Sequence, residues 1–126
     1  MRKLIFLLLA LLLLAGCGVT DKKEVVYMNI TAQEAKVLME SRTDYVILDV
    51  RTREEFDQGH IPGAVLIPDT EIRERAEETL PDKDQLVLVY CRSGRRSKLA
   101  AEALVELGYT NIQEFGGIID WPYEVE

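Results

Sequence analysis

The chain has 126 residues, 48% of them hydrophobic, and a formal net charge of −7. That is room for one domain of roughly 100 residues around a single core. The acidic balance argues against nucleic acid as a partner and against a polybasic grip on anionic lipid.

Arg2-Lys3 form a short basic head, after which Leu4 to Leu14 run without a charge. The run is too short for an ordinary membrane span, which needs about 20 residues, and it suits an export signal. It ends in Leu14-Ala15-Gly16-Cys17, which resembles the lipobox of bacterial lipoprotein precursors. The resemblance implies cleavage before Cys17, lipid on the sulfur and amine of that residue, and anchoring on the extracytoplasmic face through acyl chains. An ordinary cleaved signal or an uncleaved helical anchor is the other reading of the same hydropathy. Loss of residues 1–16 removes Arg2 and Lys3 but no acid, which takes the charge to −9. Residues 17–25 then make a lipidated amino terminus and a short polar tether that keeps the domain near the membrane.

Residues 26–126 alternate strand and helix patterns. Val25 to Ile30 predicts a first strand, and Thr31-Ala32-Gln33-Glu34 is a capping box opening a helix to about Glu40 that buries Ala35, Leu38 and Met39. Tyr45 to Leu48 is a strand apolar enough to be covered on both faces, and it delivers Asp49 and Arg51 at its carboxyl end. In open parallel sheets that edge is where ligands bind. Thr52 to Glu55 is a second capping box, so a short helix should turn Phe56 inward and end near Gly59. Ala64 to Ile67 is a short strand stopped by Pro68, and Asp69-Thr70-Glu71 opens a charged helix with Ile72, Ala76 and Leu80 on one face. After a turn at Pro81 to Asp84, Leu86 to Val89 reads as a buried strand. A helix follows with Leu99, Ala100, Ala103, Leu104 and Leu107 on one face and Gly108 just past its end. Asn111 to Phe115 gives a last strand, Gly116-Gly117 a tight turn, and Trp121-Pro122 packs under the domain. This alternation, without internal repeat, predicts a single α/β domain with a mostly parallel sheet.

The chemistry concentrates in Tyr90-Cys91-Arg92-Ser93-Gly94-Arg95-Arg96-Ser97, which places a cysteine between a strand and a helix start. Unpaired N–H groups and dipole potential at a helix start favour thiolates and anions, and the arginines act in the same sense. Low-pKa, nucleophilic thiols arise in such surroundings. A buried structural cysteine beside a solvated basic face is the bland alternative, but an apolar niche has no use for Arg92, Arg95 and Arg96 together. The cysteine count agrees. If lipid consumes Cys17, Cys91 is left alone in a compartment where thiols usually pair, which suggests reactive chemistry. A Cys17–Cys91 disulfide remains the alternative. His60 is the only histidine and reads as a packed or capping residue rather than a general base, and no metal site is implied.

The loop Cys91-Arg92-Ser93-Gly94-Arg95-Arg96-Ser97 resembles the active-site loop of the rhodanese family of sulfurtransferases. Leu48-Asp49-Val50-Arg51 with Glu55-Phe56, Gly59-His60-Ile61-Pro62-Gly63-Ala64, and Gly116-Gly117-Ile118 with Trp121 match the same family in order. The resemblance implies a five-stranded sheet flanked by helices on both faces, no external cofactor, and a last helix cut short near Glu126. It also implies sulfur transfer by double displacement. Cys91 takes a sulfane sulfur from an anionic donor such as thiosulfate and passes it, as a persulfide, to a thiol or other thiophilic acceptor, which could be a protein. Arg92, Arg95 and Arg96 would meet the donor's charge, and the backbone from Arg92 to Ser97 with the Ser93 and Ser97 hydroxyls would cradle the outer sulfur. Asp49 and Arg51 would shape the site, Asp49 helping to hold the loop arginines; alternatively Arg51 pairs with Glu55 and pins the turn. Phosphatase or arsenate reductase chemistry uses related loops, but with five residues between cysteine and arginine, whereas Arg92 to Arg95 here are only four. A lipid-anchored persulfide carrier or sensor would use the same residues as an enzyme.

Overall fold

A computed structural model describes residues 26–126. The export signal, Cys17 and the tether lie outside the described residues. The elements are β1 (Met28–Asn29), α1 (Ala32–Ser41), β2 (Tyr45–Asp49), α2 (Arg53–Gln58), β3 (Val65–Leu66), α3 (Ile72–Thr79), β4 (Leu86–Cys91), α4 (Arg95–Glu106) and β5 (Ile112–Gly117). All strand pairs are parallel, in the order β1-β5-β4-β2-β3.

The central strand β4 is buried at all six positions, which follows from a run of branched and aromatic residues with no charge. Its side chains alternate. Val87, Val89 and Cys91 join Leu48, Ile72, Ala76, Ala100 and Leu104 under α3 and α4. Leu86, Leu88 and Tyr90 join Ile47, Ala35, Phe115 and Trp121 on the other face. The strand therefore divides the core into two layers, and Cys91 and Tyr90 face opposite ways.

Both predicted capping threonines work. Thr31 Oγ1 accepts from Glu34 N at 3.1 Å, and Thr52 with Glu55 closes a full reciprocal box. Several expectations need correction. Of the strand pattern from Val25 to Ile30, Val25 lies outside the described residues and Met28–Asn29 form β1, paired with Gln113 and Glu114, while Ile30 N still donates to Glu114 O at 2.9 Å. Phe56 is not turned into the core: α2 buries no residue, and the ring stacks on His60 with centroids 3.8 Å apart. On α4 the buried residues are Ser97, Ala100, Ala101 and Leu104, while Leu99 is 53% exposed. The helix is thus rotated from the face its leucines mark, so that a serine and two alanines allow close approach to the sheet. Gly116-Gly117 is the end of β5 rather than a turn. The last helical element is a single 3₁₀ turn at Ile118–Asp120. Beyond it, Glu126 and His60 exchange two backbone hydrogen bonds of 2.8 and 2.9 Å. Gly108 does follow the end of α4, with φ 97°.

The rotation of α4 is testable by urea unfolding. Leu104→Ala should cost about 2–5 kcal/mol, the range for a buried leucine. Leu99→Ala should stay within roughly 0.5 kcal/mol, as surface changes do.

Candidate active site

Cys91 ends β4 and is 1% exposed. The next residues must leave a buried strand and start a helix within four positions. Gly94 makes this possible by adopting φ 107°, a left-handed conformation that costs other residues a clash at Cβ. The result is that the Gly94 N–H donates to Cys91 Sγ at 3.0 Å. No side chain caps α4, so its first-turn amides stand free for an anion at the loop.

The far wall of the loop is built by β5. Gly117 pairs with Cys91, and a Cβ on Gly117 would overlap the Arg92 carbonyl. The glycine is required by that close approach rather than by turn geometry. Ile119 N then donates to the same carbonyl at 3.3 Å, fixing the first peptide of the loop.

The three loop arginines divide. Arg92 and Arg95 are exposed on the rim. Arg96 is half-buried, and its guanidinium forks onto both oxygens of Glu55 at 2.7 and 2.9 Å. This pair holds the Glu55 carboxyl down at about 2, chiefly through the Arg96 hydrogen bonds and against partial burial. It also raises Arg96, whose charge reaches Cys91. Glu55 thus has a second task besides capping α2, and it is the residue that fixes a loop arginine.

Asp49 does not do so. It is fully buried and accepts from Arg51 N (2.9 Å), Arg51 Nε and Nη2 (down to 2.7 Å) and Tyr90 Oη (2.6 Å). Arg51 Nη2 also donates to Gly59 O at 2.7 Å, and Tyr90 Oη accepts from Ile61 N at 3.0 Å. Burial first, and then the Asp49 hydrogen bond, push the Tyr90 hydroxyl well above its usual range. This network ties β2, β4 and the segment around Gly59 together on the face of the sheet away from Cys91. Arg51 pairs with Asp49, not with Glu55. His60 is packed, with Nδ1 3.0 Å from Phe56 O and Nε2 3.4 Å from Glu126 Oε1.

Ser97 is fully buried, and its hydroxyl lies 2.7 Å from Glu114 Oε1, 3.0 Å from Gly94 O and 3.3 Å from Gly116 O. Toward Cys91 it is the acceptor, with the thiol donating at 3.3 Å. Ser93 is exposed. Glu114 went unnoticed in the sequence, although a signal was present: it stands two residues after Ile112 and therefore on the same, buried side of β5.

Beside the loop lies an open groove of about 640 Å³, walled by Arg51, Glu55, Arg92, Ile119, Trp121 and Val125. Trp121 is buried against Phe115 and Tyr123, as expected, but its edge also forms part of this wall. Among the described residues no cluster of three or more His, Cys, Asp and Glu side chains could hold a metal ion, and no helix is long and apolar enough to cross a membrane.

Residues 31–122 match the model of the rhodanese-like domain, and residues 1–17 match a prokaryotic membrane lipoprotein lipid attachment site. Thiosulfate sulfurtransferase PspE of Escherichia coli strain K12 is 45% identical over 73 residues, which span 58% of this chain and 70% of that protein. Thiosulfate sulfurtransferase GlpE of Coxiella burnetii is 35% identical over 96 residues, spanning 75% of this chain and 87% of that protein. A solved rhodanese with anions from E. coli superposes with a TM-score of 0.62 at 40% identity, covering 65% of this chain and 96% of that one. The chain belongs to the rhodanese family of sulfurtransferases, and it is anchored by lipid at its amino terminus.

The Glu55–Arg96 pair sets a pH prediction. The Glu55 carboxyl sits lower in the folded chain than its ordinary 4.5, so its stabilisation is complete above that value and is lost as pH falls toward 2. Glu55→Gln should therefore lower stability at neutral pH by about 1 kcal/mol. Its denaturation midpoint should converge with that of the native sequence as the solution is acidified toward pH 2.

Proposed function

We propose that Cys91 is the sulfur-carrying residue and that a small anionic sulfane donor, with thiosulfate as the type, loads it. The Cys91 thiolate attacks the outer sulfur of the donor, the donor's S–S bond breaks, and sulfite leaves with the electron pair. The persulfide on Cys91 is then attacked by an acceptor thiolate, which takes the terminal sulfur and releases Cys91 as thiolate. The observation behind this reading is the placement of Sγ under an uncapped helix start with the Gly94 amide aimed at it. Those amides suit the charge that develops on the terminal sulfur. Arg92 and Arg95, exposed on the rim, draw in the donor, while Arg96, oriented by Glu55, supplies a fixed positive charge. Asp49 and Arg51 position β2 against β4 and do not touch the sulfur.

The groove favours a large acceptor. Its 640 Å³ exceeds the needs of a four-oxygen or three-oxygen sulfur anion, and its wall combines Arg51 and Arg92 with Ile119, Trp121 and Val125. A thiol presented on a protein segment would use both the cations and the apolar wall. Such an acceptor would make the domain a membrane-held carrier as well as an enzyme. With lipid on Cys17, the domain would work on the extracytoplasmic face, and residues 26–126 would be the whole catalytic unit.

Intact mass after incubation with thiosulfate should show one added sulfur, mapped to Cys91. Cys91→Ala should abolish both that adduct and thiosulfate:cyanide transfer; persistent turnover would remove Cys91 from the mechanism. Fast loading with slow release to small thiols would identify the carrier role, and comparable release to both would identify an ordinary enzyme.

A further inference from the structure

Glu114 is a carboxylate with no exposed surface in a domain whose other acids, Asp49 apart, reach solvent. It is not stranded. Oε1 accepts from Ser97 Oγ at 2.7 Å and from Gly116 N at 2.8 Å, and Oε2 accepts from Asn29 Nδ2. Among the described residues no cation pairs with it, which sets it apart from Asp49. Its one connection toward the reaction is Ser97, whose oxygen lies 3.3 Å from Cys91 Sγ.

Ser97 has a single proton and three acceptors in reach, Glu114 Oε1 at 2.7 Å, Gly94 O at 3.0 Å and Gly116 O at 3.3 Å, of which the carboxylate is the nearest. Ser97 Oγ then turns a lone pair to Cys91, and the thiol donates to it. Sulfur, hydroxyl and carboxylate therefore form a chain that points from Cys91 to Glu114. Cys91 is 1% exposed, which leaves its thiol little direct contact with water.

We propose that Glu114 is the proton acceptor for Cys91, acting through Ser97. The S–H bond of Cys91 breaks as its proton passes to Ser97 Oγ, and the original Ser97 proton passes to Glu114 Oε1. Thiol and carboxylate become thiolate and carboxylic acid, with no change of oxidation state. The exchange also removes a conflict: two negative charges do not have to coexist in one buried site, because a single proton is shared between the two acids. Glu114 keeps the proton while the persulfide carries the charge, and it returns the proton by the same line when Cys91 is released. The groups facing this line are Gly94 N from the loop, Arg96 and Ser97 from α4, Asn29 from β1 and Tyr27 just before it. Glu114 is one of the charges, after burial itself and Glu102, that raise the Tyr27 hydroxyl. Glu114 touches no reacting atom, so it is a positioning and proton-holding residue rather than a catalytic one.

The inference rests on Cys91 as the sulfur carrier, and the test separates the two. Glu114→Gln keeps the length of the side chain and an oxygen for Ser97 and Gly116, but it cannot take a proton. Single-turnover persulfide formation with thiosulfate should slow by about a hundredfold on the acid side, the low end of what general-base help contributes. It should return to the native rate as alkali ionises the thiol directly, and Ser97→Ala should show the same profile. A loss that is uniform with pH means a structural role, and faster loading in acid means that Glu114 only repels the thiolate; either overturns the relay. Loading of the native chain at Cys91 shows that the sulfur-carrier reading stands whatever the variant does. If Glu114→Gln does not fold, infrared difference spectra of the native chain decide. Loading should create a protonated-carboxyl band that glutamate isotope labelling shifts, and a loaded protein without that band refutes the proposal.

Discussion

The geometry of the site depends on a length constraint: Cys91 ends a strand that is buried throughout, and α4 begins only four residues later. In this loop the chain turns from strand to helix through Gly94, which takes a left-handed conformation with φ 107° and so aims its N–H back at Cys91 Sγ. The same tightness draws the Arg92 carbonyl against Gly117, where a side chain would not fit. The thiol is consequently held by the end of β4, the start of α4 and the end of β5 at once. Free movement of the loop would lose the Gly94 contact with sulfur, so the electrostatics follow from the packing.

The fold was legible because its signals are local and mutually consistent. The apolar runs at Tyr45 to Leu48 and Leu86 to Val89, the two threonine caps and Gly108 each marked an element or its end. The loop residues were legible too, since they lie in one continuous stretch. What failed was whatever depends on contact between distant segments. Leu99 matched a helical face but was left in solvent, because Ser97 and the alanines fit closer to the sheet. Glu55 read as a cap, and only the fold shows Arg96 arriving from 41 residues away. Glu114 passed unremarked inside the last strand, and its partners come from α4 and β1 as well as from its own strand.

Two buried carboxylates sit on opposite faces of the sheet and are stabilised differently. Asp49 has a guanidinium, a backbone N–H and a phenol, an arrangement that fixes charge and holds β2 to β4. Glu114 has a hydroxyl, an amide side chain and a backbone N–H. The first resembles a rivet between strands. The second leaves a group whose protonation can change with little rearrangement, because its partners are neutral in either state.

The parallel order of the strands has a consequence for orientation. Every strand runs the same way, and Cys91 closes β4 at the carboxyl end of the sheet, three residues beyond Leu88, which lies level with Met28 through Gln113. Ten residues lie between Cys17 and Met28, a reach of at most about 40 Å when extended, so lipid at Cys17 would hold the start of the sheet within that distance of its anchor.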